Sequence, residues 1–184
     1  MPGPDTVGSL QTPRLQLEPI VEGHAIEMFD VLCDPLIYRF IPDKPPVSVA
    51  ALRERYRRLQ RGVSPDGSQL WLNWVIRLAP SAQWVGYVQA TVHSDATADF
   101  AYVLASPFWG SGIATEACVA AIGFLDVELA VRALYATADA ENHRSLWLLG
   151  RLGFVEVAPS RYPHGVVVDG DRVFSLLLDS RRDR

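Results

Sequence analysis

The chain has 184 residues, 49% of them hydrophobic and 21% charged, and its 17 basic and 21 acidic side chains give a formal net charge of −4. That length predicts one domain with a sizeable core, and the mild negative charge disfavours nucleic acid or an anionic membrane surface as a partner. No apolar run approaches the roughly 20 residues of a membrane helix, and Cys33 and Cys118, with no Cys or His at metal-ligand spacing, suit a reducing, cytoplasmic compartment better than a disulfide framework.

The termini, residues 1–11 and 179–184, read as flexible, which leaves a single domain over 12–178. RLQLEPI, residues 14–20, alternates apolar and polar positions and predicts a first strand. GHAIEMFDVLCD predicts a helix with Ile26, Phe29 and Cys33 on one face, stopped by Pro35. After the proline-rich 42–48 loop, Ser48 caps a second helix running from Val49 to about Arg61. SQLWLNWVIRLA and WVGYVQATVH read as a hairpin across PSAQ, and DFAYVLA, residues 99–105, as the next strand. A third helix follows from about Ile113 to Leu129, with Cys118 in its apolar core face. RALYATA, residues 132–138, is a strand, and 141–153 is a helix ended by Gly153. FVEVA and VVVDGDRVFSLLL close the chain as two strands, VDGD being suited to a small turn inside the second. A three-strand meander followed by a strand–helix–strand crossover predicts a mixed α/β (α+β) fold.

The most informative turn is SPFWGSGIATEA, Ser106 to Ala117. It fails the dinucleotide fingerprint, because Thr115 stands where a third glycine belongs, and it lacks the G-K-[ST] of a P-loop. A plain glycine turn would explain it as well. Its position between a strand and a helix start raises a further reading. Unpaired amides and the helix dipole there attract an anion. With no Lys or Arg in the turn, binding would rest on backbone donors.

This stretch resembles the motif of the GCN5-related N-acetyltransferases, the GNAT superfamily. The pattern (Q/R)-x-x-G-x-(G/A) is met at Gly112 and Ala114, with Trp109 in place of the leading Gln or Arg. Trp109 in that place is familiar in the branch of the ribosomal-protein alanine N-acetyltransferases. TPRLQLEPI resembles that branch's opening strand, and ENHRSLWLLGRLGF its N-x-x-S…LGF segment. The resemblance spans roughly residues 12 to 178. It implies the GNAT acyl-CoA N-acyltransferase fold, a mixed, mostly antiparallel sheet of about seven strands with a splayed central pair, flanked by about four helices.

The resemblance also implies a site. Tyr102, Val103 and Leu104 would pair through their backbones with the pantetheine arm of acetyl-CoA, and an amide near Tyr102 or Val103 would polarise the thioester carbonyl. Amides from about Gly110 to Thr115, taking in Ser111, Gly112, Ile113 and Ala114, would cradle the pyrophosphate, and Trp109 would also belong to the cofactor site. Asn142 would hydrogen-bond pantetheine, and Ser145 would donate to the leaving thiolate. Many relatives use a tyrosine one turn later, where this chain has Leu149. Asp99, where the branch often has a glutamate, is the expected general base, and His93 is an alternative, although a histidine at a strand end is more often simply solvated. Glu116 reads as a first-turn acid complementing the helix dipole. Arg144 and Arg151 are candidates for the 3′-phosphate.

The acceptor would be a primary amine, of a protein N-terminus or a small molecule, reacting directly in a ternary complex, with no metal. Tyr38, Phe40, Trp71 and Trp74 are candidates for its wall. Trp71 and Trp74 cannot share a strand face, so at least one belongs to the core. A homodimer is compatible with the sequence. Two rivals come from other classes: an acyl-CoA sensor or scaffold without turnover, and an RNA-associated module using the arginine helix RERYRRLQR.

Overall fold

A computed structural model describes residues 8–178 of the chain. Within them lie eight strands, β1 (Leu10–Gln11), β2 (Leu15–Pro19), β3 (Leu70–Leu78), β4 (Trp84–Val92), β5 (Thr97–Leu104), β6 (Ala133–Asp139), β7 (Val155–Val157) and β8 (Asp171–Leu177). Four α-helices accompany them, α1 (Ala25–Leu32), α2 (Val49–Leu59), α3 (Ile113–Val127) and α4 (His143–Arg151). All strands join one sheet in the order β1-β2-β3-β4-β5-β6-β8-β7. Neighbours are antiparallel except β5 and β6, the strands joined by the α3 crossover.

Strand alternation divides the core in two. From β3, Leu72, Trp74 and Ile76 point into the larger cluster, beside Cys118, Leu125 and Leu149 of α3 and α4. Val75 points the other way, toward Ala25, Met28 and Leu52 of α1 and α2. Trp74 is fully buried, and its indole donates to the carbonyl of Gly8 at 3.1 Å. The folded domain therefore begins earlier than residue 12. Leu10 and Gln11 pair with Leu17 and Gln16 as an eighth strand, too short to show in the sequence pattern. The expected flexible segments 1–7 and 179–184 lie outside the described residues.

Three expectations shift. In α1 the buried stripe is Ala25, Met28 and Leu32, while Ile26 is 57% exposed. A short 3-10 turn over Glu22–His24 precedes the helix, and packing against Leu52, Tyr56 and Val75 selects its inward stripe. The last strand is confined to Asp171–Leu177, because the VDGD turn falls before it, with Gly170 at φ 92°. The helix α3 ends at Val127, two residues short of Leu129. Ser48 caps α2 as expected, its Oγ accepting the Ala51 N–H at 3.1 Å, and Gly153 ends the α4 segment at φ 90°.

The feature that positions a site is the β5–β6 junction. The two strands pair only across Thr97–Asp99 and Ala133–Tyr135. Beyond that, β5 continues to Leu104 and β6 to Asp139 without pairing to each other, so the sheet opens in its middle.

Candidate active site

The opening forms a cleft of about 1160 Å³. Its walls include backbone from Phe100 to Leu104 on one side and from Ala136 to Asp139 on the other. The glycine turn and the start of α3 close one end, and the first turns of α4 flank it. Phe40, Ile41, Pro42, Tyr87 and Gln89 line its continuation toward the α1–α2 side.

The glycine turn is built to leave amides free. Gly110 and Gly112 sit at φ 74° and 79°, the left-handed region that glycine enters without a steric cost. The first backbone bond of α3 runs from the Glu116 N–H to the Gly112 carbonyl at 3.1 Å. The N–H groups of Ile113, Ala114 and Thr115 therefore precede the helix ladder. Ser111 turns its hydroxyl inward, onto the Phe108 carbonyl at 2.5 Å. Trp109 donates its indole N–H to the Leu104 carbonyl at 2.8 Å. That bond uses one of the two lone pairs of the Leu104 carbonyl and ties the turn to the end of β5.

The turn does have a cation, contrary to its own sequence. Arg14, just ahead of β2, donates from Nη1 to the Ser111 carbonyl at 3.1 Å and from Nε to Glu116 at 2.6 Å. Glu116 also accepts from the Thr12 hydroxyl at 2.5 Å and the Arg14 N–H at 3.0 Å. Burial opposes its ionisation, but these bonds overcome that and hold its carboxyl below the usual range. Glu116 is thus more than a dipole partner. Sequence reading missed Arg14 because the contact spans about a hundred positions.

At the start of α4, Asn142 is the cap: its Oδ1 accepts the Ser145 N–H at 3.2 Å. Ser145 Oγ lies 2.9 Å from the Tyr102 hydroxyl, which is also 3.3 Å from the Ser145 carbonyl. Burial pushes the Tyr102 phenol well up, only partly offset by the Ser145 bond, so it stays protonated at neutral pH. Leu149 is core, 1% exposed. The phenol that α4 lacks arrives instead from β5. Tyr102 was expected to act only through its backbone, and its hydroxyl beside Ser145 is the feature that reading overlooked. Tyr102, Val103, Trp109 to Gly112, Ala114, Thr115, Asn142 and Ser145 all line the cleft, and Ile113 is buried beneath it.

Asp99 stands apart. It sits where β5 and β6 are still paired, opposite Tyr135, and is not part of the cleft wall. Its Oδ2 meets His93 Nε2 at 2.9 Å. His93 is buried, not solvated, and its ring stacks on His164 with centroids 3.8 Å apart. His164 Nε2 reaches Asp95 Oδ2 at 2.8 Å. Desolvation opposes the charge on Asp95, but bonds from Thr97 and His164 hold its carboxyl down at about 2. Tyr162 lies over Tyr135, ring centroids 6.0 Å apart.

The remaining candidates sort clearly. Arg144 and Arg151 line the cleft, over the rings of Trp109 and Trp147 at 4.9 and 4.7 Å. Phe40 lines it too, whereas Tyr38 donates to the Leu32 carbonyl at 2.9 Å, and neither Trp71 nor Trp74 reaches it. Cys118 is buried, its thiol pushed up by desolvation, as a core side chain. In the arginine helix, Arg53 and Arg57 face Glu22, and Arg55 faces Asp43.

Residues 14–155 match the family model described as the acetyltransferase (GNAT) domain, well over half the chain. The chain belongs to the GNAT family. Membership carries acetyl transfer from an acyl-CoA as its general chemistry. The GNAT fold is shared with solved structures that include RimL, a ribosomal L7/L12 α-N-protein acetyltransferase in complex with coenzyme A. The TM-score is 0.77 at 16% identity, over 94% of this chain and 99% of that one. A ribosomal-protein-S5-alanine acetyltransferase from Vibrio fischeri aligns with a TM-score of 0.75 at 18% identity, over 93% and 97%. A GNAT-family acetyltransferase from Bacillus anthracis gives 0.74 at 16%, over 93% and 99%. Among the described residues, no helix is long and apolar enough to cross a membrane.

Proposed function

We propose that this GNAT domain transfers the acetyl group of acetyl-CoA to a primary amine, of a protein N-terminus or a small molecule, by direct attack in a ternary complex. The observation that carries the reading is the cleft through the sheet. It has free amides at one end, a hydroxyl pair at its middle and an apolar continuation on the α1–α2 side. Two substrates can approach such an opening from different sides.

The residues present fit an acyl-CoA. The Gly110–Thr115 amides suit a pyrophosphate, since a helix N-terminus binds anions through its dipole and unpaired donors. The open edge of β5 suits an extended amide-bearing arm. Asn142 keeps its amide NH₂ for that arm while its Oδ1 caps α4. Acetyl-CoA supplies the activated acyl group as a thioester. Backbone donors near Tyr102 and Val103 would stabilise negative charge on the carbonyl oxygen. Ser145, its hydroxyl backed by protonated Tyr102, would donate to the departing sulfur. The amine must lose one proton to become a nucleophile. Ala101 lines the cleft, and Asp99 lies one pleat below it on the same strand face. The Asp99–His93 pair would accept that proton through a water.

A thiol-release assay with acetyl-CoA against a panel of N-terminal peptides, polyamines, amino acids and aminoglycosides tests the proposal. Turnover on any of them rules out a binding-only sensor. Calorimetric CoA binding without turnover across the whole panel would favour the sensor instead.

A further inference from the structure

The glycine turn contains no Lys or Arg, and Trp109 stands where the wider family motif begins with Gln or Arg. The fold brings a guanidinium to the same place from the other end of the domain. Arg14 lines the cleft and its side chain is 51% exposed. Two contacts fix its plane, Nε on Glu116 and Nη1 on the Ser111 carbonyl. Its Nη2 comes within 3.3 Å of where a Cβ on Gly112 would stand. So Nη2 faces the left-handed glycine at the head of the free amides, held there by a carboxylate and a carbonyl.

We infer that Arg14 is a binding residue for the pyrophosphate of the acyl-CoA, presenting its Nη2 edge beside the Gly112–Thr115 amides. This rests on the reading proposed above. A guanidinium offers paired donors in a plane, so one edge can be held by protein while another meets a phosphate oxygen. The pairing with Glu116 has a second effect. An ionised carboxylate in the first turn of α3 would otherwise repel the same anion, and Arg14 offsets it. The two effects are separable, because neutralising Glu116 removes the repulsion and leaves the missing contact missing.

The test uses the full chain as native protein, Arg14→Gln, Glu116→Gln and the double variant. Binding of CoA and dephospho-CoA is measured by calorimetry, and acetyl-pantetheine, which lacks the pyrophosphate, is measured as an acetyl donor. Arg14→Gln is expected to weaken CoA and dephospho-CoA equally, by about tenfold or more, with kcat/KM for acetyl-pantetheine unchanged. The double variant is expected to stay as weak as Arg14→Gln. Recovery of affinity in the double variant would reduce Arg14 to a screen for Glu116 and overturn the inference. So would a loss confined to CoA, which points to the 3′-phosphate, or an equal loss for acetyl-pantetheine, which points to a structural brace. Should Arg14→Gln not fold, Arg14→Lys keeps the charge without the fork and is expected to show the same ligand pattern with a smaller loss. Failure of the native protein to bind CoA at all would overturn the proposed function, whereas every other adverse outcome overturns this inference alone.

Discussion

The two ends of β5 solve opposite problems. At its C-terminal end, next to Leu104, the chain leaves donors unsatisfied: two left-handed glycines and the first amides of α3 face an open cleft. At its N-terminal end side chains pair with one another. Asp99 meets His93, His93 stacks on His164, and His164 meets Asp95. One end presents backbone donors to the cleft, and the other ties its carboxylates to imidazoles. The short β5–β6 pairing explains how one strand does both, since the closed end lies where the strands still pair and the open end where they part.

Breaking the open end should have the largest effect. Gly112→Asp puts a negative group beside the free amides, where it competes for them and repels the ligand. CoA affinity measured by calorimetry is expected to fall about 100-fold, while the closed end is untouched. Unchanged affinity would remove the turn from the site. At the closed end, Asp99→Asn should leave CoA affinity alone and lower the acetylation rate by about tenfold or more on the acid side of the pH profile. The sign follows from the amine. Above its own pKa bulk water has already removed the proton, and below that pKa the enzyme must remove it. A uniform loss at all pH values, or none, would move the base elsewhere.

Much of this contrast is legible in the sequence, and the illegible part has one physical cause. The glycine turn, the strand before it and the helix that starts after Asn142 are placed correctly because each is a local signal: a turn residue, an alternation, a helical run closed by Gly153. What escapes is contact at long range. Nothing near Tyr102 says that its phenol meets Ser145 across 43 positions. Nothing near Gly112 says that Arg14 arrives from 97 positions upstream of Ser111. His93 looks like a solvated strand end until the 158–170 segment brings His164 onto its ring. The buried face of α1 is a smaller failure of the same kind, since packing against Leu52, Tyr56 and Val75, distant in sequence, selects Ala25, Met28 and Leu32 as the inward stripe.

Between the two ends, Ser145→Ala tests how much help the leaving group needs. A thiol of pKa about 8.5 departs readily as thiolate, so kcat is expected to fall only by about three- to tenfold. Because Tyr102 stays protonated through the assay range, the loss should be the same at every pH from mildly acidic to mildly alkaline. Tyr102→Phe should give a similar loss, and the double variant little more, because the two hydroxyls share one hydrogen bond. Fully additive losses would mean that they act separately.

The smallest expected effect sharpens the closed end alone. Tyr162 is raised from the ordinary phenol value, first by burial and then by the charge of Asp99 beside it. A phenol whose pKa is higher in the folded than in the unfolded chain holds its proton more tightly when folded. Its stabilising contribution is therefore complete below pH about 10, where the unfolded phenol titrates, and is lost as pH rises from there. Urea midpoints of the native protein should fall above that pH. Buried Tyr56 and Tyr102 are raised by desolvation as well, so they contribute to the same decline. The Tyr162→Phe difference curve isolates the residue. It should be flat below pH about 10 and then show the variant losing stability less steeply than the native protein. A difference curve flat throughout would mean that Tyr162 titrates freely, and that the Asp99 carboxylate does not act on it as the closed end requires.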